Sequence, residues 1–170
     1  MLERGWGAIY RRVKSKPIFM KEGRPSSALF KDSKGVSVDR DGSREICSII
    51  ADEERLHSLY TNGLSDVEIR ERGEELKAII QLTDSQCDSV EACVVPDPIN
   101  GENEYHALLQ KSETEIQLSK SQAKTLAKLA TVKKIMHEFI IVYEGIFVLY
   151  KKSVKSDFKG LSDNSESPFL

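Results

Sequence analysis

Two stretches hold side chains that can move a proton or bind an anion. In "VVPDPINGENEYHALL", Asp97 stands between Pro96 and Pro98, and His106 follows nine residues later. The prolines stiffen the backbone around the aspartate. A histidine oriented by an aspartate is a general acid or base near neutral pH. Asp97 and His106 are therefore the candidate catalytic residues. The structural alternative is that Asp97 caps a turn and His106 bonds a backbone carbonyl.

The second stretch is "GRPSSALFKDSKGVSVDR", Gly23 to Arg40. Arg24, Ser26, Ser27 and Arg40, with Lys31, form a candidate phosphate site. Backbone amides opening the "SALF" turn would point at the anion and an arginine would clamp it. The stretch lacks the G-x-x-x-x-G-K-[ST] of a P-loop. Its plain alternative is a surface turn with a capping serine.

Other chemistry-bearing residues read as structural. His57 and His137 lie in helix-like contexts without a second ligand at metal-binding spacing. Cys47, Cys87 and Cys93 are odd in number and form neither a disulfide framework nor a zinc pattern. No cofactor or metal is called for. Lys120, Lys124, Lys128, Lys133 and Lys134 line a helical stretch that reads as a solvated face, with a phosphate-contacting surface as its alternative.

The elements that must position these groups follow from periodicity. "WGAIYRRV" reads as a strand. "SALF" reads as a helical turn capped by Ser26 or Ser27, and "GVSVDR" as a strand with Val36 and Val38 on one face and Ser37 and Asp39 on the other. "DGSREICSIIADEERLHSLY" becomes helical with Ser43 as cap. Leu76 to Thr83 is a strand, Asp84 caps a short helix, and "CVVPDP" ends in prolines that keep it off a central position. "YHALLQ" is a strand. "LSKSQAKTLAKLATVKKIMHEF" is the clearest amphipathic helix, capped by Ser119 or Ser121. "FIIVYEGIFVLYKK" forms a hairpin about Glu144-Gly145 or one buried helix.

The order predicts an α+β fold: one domain over residues 1–152, with a mixed sheet of about five or six strands and two to three flanking helices. Residues 153–170 read as a flexible polar tail. The 170 residues, 39% hydrophobic and 31% charged, can bury a core. A net charge of −2 argues against a whole-surface grip on nucleic acid. No stretch reads as a signal peptide or a membrane span, so the expected location is cytoplasmic.

"IYRRV", "GRPSSALFKD", "GVSVDR", "VVPDPINGENEYHALL" and "LSKSQAKTLAKLA" together resemble a group of small uncharacterised bacterial proteins. The resemblance covers roughly Ile9 to Ala130 and implies a fold and a residue list: Arg11, Arg12, Arg24, Ser26, Ser27, Phe30, Ser37, Asp97 and His106. It implies no reaction. The C-terminal "HEFIIVYEGIFVLY" departs from the pattern.

Three functional readings result. One is a binding module with a protein partner in a bacterial multi-gene system, with phage or plasmid conflict as the setting the resemblance implies. Another is an enzyme acting on a nucleotide or nucleic-acid phosphate, with arginines holding phosphate and His106 as acid/base. A nucleic-acid binder using the lysine-rich helix is a third.

Overall fold

β1 (Ala8–Lys14) is the strand around which the sheet is built. Its odd residues Ile9 and Val13 turn to one face, and its even residues Ala8 and Tyr10 to the other. A computed structural model describes residues 7–136, 138–143 and 146–151. The chain divides into two units after Met136.

In the first unit, β1 is joined by β4 (Val36–Arg40), β5 (Leu76–Thr83), β6 (Cys93–Pro96), β7 (His106–Gln110) and β8 (Thr131–Ile135). The sheet order is β6-β7-β4-β1-β5-β8. Every neighbouring pair is antiparallel, where a mixed sheet was expected. β2 (Met20–Lys21) and β3 (Arg24–Pro25) form a separate small hairpin. The helices are α1 (Ile46–Tyr60), α2 (Asp66–Glu71), α3 (Asp84–Asp88) and α4 (Lys120–Leu129). The architecture is α+β.

The larger core lies on one face of the sheet. Ile9, Val13, Val36, Val38, Ile80 and Leu109 meet Leu29 and Phe30 of a 3-10 turn (Ser27–Phe30) and Leu126 of α4. Removing each such side chain from water contributes about 1.5–3 kcal/mol. On the opposite face, α1 lays Ile49 over Ala8, Tyr10 and Ile79.

Local signals explain most boundaries. Ser26 caps the 3-10 turn by accepting from the Ala28 amide. Ser119 and Gln122 form a capping box at α4. Three expectations change. Ser43 does not cap α1; it takes a left-handed φ of +59° in the turn before it, and the helix starts at Ile46. Thr83, not Asp84, caps α3, because its hydroxyl reaches the Gln86 amide. The amphipathic helix stops at Leu129: Ala130 is extended, and β-branched Thr131 and Val132 open β8, which pairs with the edge of β5.

In the second unit, β9 (Glu138–Tyr143) and β10 (Ile146–Lys151) pair antiparallel from Tyr143–Ile146 outward. The turn expected at Glu144-Gly145 and the polar tail expected over residues 153–170 lie outside the described residues, as does His137.

Candidate functional site

Asp97 and His106 do come together, and the β6–β7 pairing explains how. Its register runs Cys93–Gln110 to Pro96–Ala107, so the next position sets Asp97 against His106. The Asp97 amide donates to the His106 carbonyl at 3.0 Å. In return, His106 Nδ1 lies 2.7 Å from the Asp97 carbonyl and 3.4 Å from its carboxylate Oδ2. A carbonyl only accepts, so Nδ1 carries the proton.

The neutral tautomer with that proton on Nδ1 presents a lone pair at Nε2. Ser37 Oγ lies 2.9 Å from Nε2, placed to donate its hydroxyl proton to that lone pair. β4 supplies this partner: Ser37 and Asp39 lie on the face opposite Val36 and Val38, and Asp39 pairs with His106 across the β4–β7 ladder. His106 is buried while Ser37 is exposed. An accessible hydroxyl bonded to an oriented imidazole is the geometry of an activated nucleophile.

Beside this relay lies a buried polar cluster. Arg12 Nη2 lies 3.9 Å from Asp39 Oδ2, and Arg12 Nε lies 3.5 Å from Glu53 Oε2. The Asn103 amide donates to Asp39 Oδ1 at 2.5 Å, and the Tyr60 ring lies over the Arg12 guanidinium. Burial, reinforced by the Asp39 charge and a hydrogen bond to Asp39, pushes the Glu53 carboxyl up to about 9, against the opposing pull of Arg12 and Arg44. Burial thus favours the neutral form of Glu53, and the Arg12 guanidinium reaches both Glu53 and Asp39. The Asn103 loop also sets the chain's entry into β7, since Asn103 Oδ1 accepts from the Tyr105 amide.

Arg11 occupies a break in the sheet. β1 and β4 pair only at Ile9–Arg40 and Tyr10–Asp39, whereas β1 follows β5 along its length. Arg11 Nη1 donates to the Ser37 carbonyl at 2.5 Å, and its Nε is buried without a hydrogen-bond partner. Burial lowers the guanidinium to about 10, which leaves it charged at neutral pH.

The phosphate cluster expected from the sequence is not assembled. Ser26 spends its hydroxyl on the Ala28 amide and the Ile18 carbonyl. Arg24 is exposed on β3, Ser27 opens the 3-10 turn, and Lys31 follows that turn. All four belong to the segment that leaves the far end of β1 and packs under the larger core. Arg40 instead pairs with Ile9, about 17 Å back along β1 from Lys14 at 3.3 Å per residue. It donates to the Tyr105 and Glu104 carbonyls. Ser26 and His106 lie on opposite faces of the sheet, because Val38 and Ala107, the neighbours of Asp39 and His106, meet the core that holds Leu29.

Ser37 was legible as a polar-face position in an alternating strand and as a member of the list the resemblance implied; its pairing with His106 spans 69 residues. Arg12 stood only in the list the resemblance implied, and Asp39 and Glu53 carried no site signal beyond their types. Among the described residues, no group of three or more His, Cys, Asp or Glu could hold a metal ion. Among the same residues, no helix is long and apolar enough to cross a membrane. Comparison of the chain with protein-family models, curated proteins and solved structures finds no match.

Proposed function

We propose that the chain is an enzyme that cleaves an ester bond, carboxylic or phosphoric, through Ser37. One observation carries this reading: His106 is fixed by Asp97 in the tautomer that accepts the Ser37 proton. Ser37 Oγ bonds to the electrophilic carbon or phosphorus while its proton passes to His106 Nε2. The leaving oxygen takes that proton back, and water then releases the second product. The Asp97 carboxylate faces the imidazolium formed in between.

A fluorophosphonate probe tests the site directly. Ser37 Oγ forms the bond to phosphorus, the P–F bond breaks, and fluoride leaves. Mass spectrometry should place the adduct on Ser37, and Ser37→Ala and His106→Ala should abolish it. An unlabelled Ser37 in folded protein refutes the reading. Hydrolysis of p-nitrophenyl acetate against bis-p-nitrophenyl phosphate separates an acyl from a phosphoryl substrate, the latter being the nucleotide or nucleic-acid class.

A second reading, a protein-binding module, draws on a different surface. Leu59 and Tyr60 at the end of α1 and Val67 in α2 are large apolar side chains exposed by 42%, 49% and 61%. Exposed apolar groups close in sequence favour a docking role. The bacterial conflict setting rests on the resemblance of the sequence blocks.

A further inference from the structure

We propose that Arg11 is the positioning residue of the Ser37 nucleophile, a role that rests on the ester-cleaving reading of that site. The register of β1 with β4 makes the case. Ile9–Arg40 and Tyr10–Asp39 are paired, and the Ala8 carbonyl accepts from the Asp41 amide. Ala8 and Tyr10 therefore sit at successive hydrogen-bonded rungs, and the next such rung would set Arg12 against Ser37. That rung is not formed, although β1 continues to pair with β5 on its other edge.

The Ser37 carbonyl faces the opening and has no backbone donor from β1. Arg11, on the core face of β1 between Ile9 and Val13, closes the account with its Nη1. A side chain thus replaces a strand. The consequence for chemistry is twofold. The Ser37 backbone N–H points into the same open rung, outside the β1–β4 ladder, where a nucleophile's own amide receives charge developing on the group it attacks. The guanidinium holds the Ser37 main chain through its carbonyl, and so fixes the direction of that N–H. Arg11 acts through the Ser37 peptide unit rather than on the substrate.

The test is the fluorophosphonate reaction of the full chain, with the maximal rate kinact and the half-saturating concentration KI measured separately. Arg11→Met keeps the stem and loses the donors and the charge. It should lower kinact about 100-fold with KI within threefold of wild type. Arg11→Lys, which restores the charge and one donor, should recover at least tenfold of that loss. Should Arg11→Met not fold, Arg11→Lys decides alone, with kinact expected about tenfold below wild type. Variants that react within threefold of the wild-type kinact overturn the role of Arg11 and leave the Ser37 reading intact. A wild type that is not labelled at Ser37 overturns both.

Discussion

Replacing Glu53 by Gln should stabilise the protein, and by an amount that grows with pH. Glu53 is 1% exposed and its carboxyl is pushed up to about 9, against an ordinary value of 4.5. Below pH 4.5 the folded and unfolded chains both hold the proton, so its contribution to stability is fully present. Between 4.5 and about 9 the unfolded chain releases the proton and the folded chain keeps it. Stability is therefore lost as pH rises across that window, at up to about 1.4 kcal/mol per pH unit. At pH 7, 2.5 units above the unfolded value, the cost is about 3 kcal/mol. Glutamine removes it because it has no proton to lose. Its amide can donate to Asp39 where the carboxyl now does, and its oxygen keeps the place beside Arg12. Urea unfolding of both proteins at pH 5, 6, 7 and 8 reads the difference. The two stabilities should approach each other at pH 5 and separate steadily towards pH 8, with the variant ahead. A constant difference across that range, or a variant less stable at pH 8, refutes a neutral buried Glu53.

Arg12→Met should cost about 3–5 kcal/mol in the same assay at pH 7, since it leaves the buried Asp39 without its cation. Gly42→Ala should cost more than about 1 kcal/mol and lower the melting temperature: Gly42 has φ +57°, and a Cβ there would lie 2.2 Å from the Tyr105 ring. Because Tyr105 precedes His106, the same variant should slow probe labelling of Ser37. Leu126→Ala, emptying a fully buried site under α4, should cost about 2–5 kcal/mol without changing the labelling chemistry once folded. Among the cysteines, Cys47 should react first with a disulfide reagent at pH 8. Cys47 is exposed, whereas burial and the nearby Asp84 and Asp88 push the Cys87 thiol up to about 12. Equal rates for the two in folded protein contradict the buried environment of Cys87.

The elements that depend on neighbours in sequence were legible from the chain alone. Alternation placed β4, residue type and flanking stops placed β1, β5 and β7, and serine chemistry narrowed two caps to Ser26 or Ser27 and Ser119 or Ser121, of which Ser26 and Ser119 serve. Where two local signals competed, periodicity misled: Leu126 and Leu129 continue smoothly into Val132 and Ile135 at helical spacing, yet β5 offered an open edge that Thr131–Ile135 took. Asp97 and His106 were legible as a pair because a short connection between adjacent strands brings them together.

What the chain alone determined is thus the face each residue takes within its own strand, including Ser37 beside Asp39 and away from Val36 and Val38. The tertiary structure decided which strand lies beside which. The order β6-β7-β4-β1-β5-β8 set Ser37 against His106 and left Arg24 and Ser26 on the other side of the sheet. It also opened the rung that Arg11 fills and buried Glu53 against Asp39. The physical reason is range. A side chain's direction follows from its immediate backbone, whereas strand partners are chosen by the burial of the whole apolar face at once.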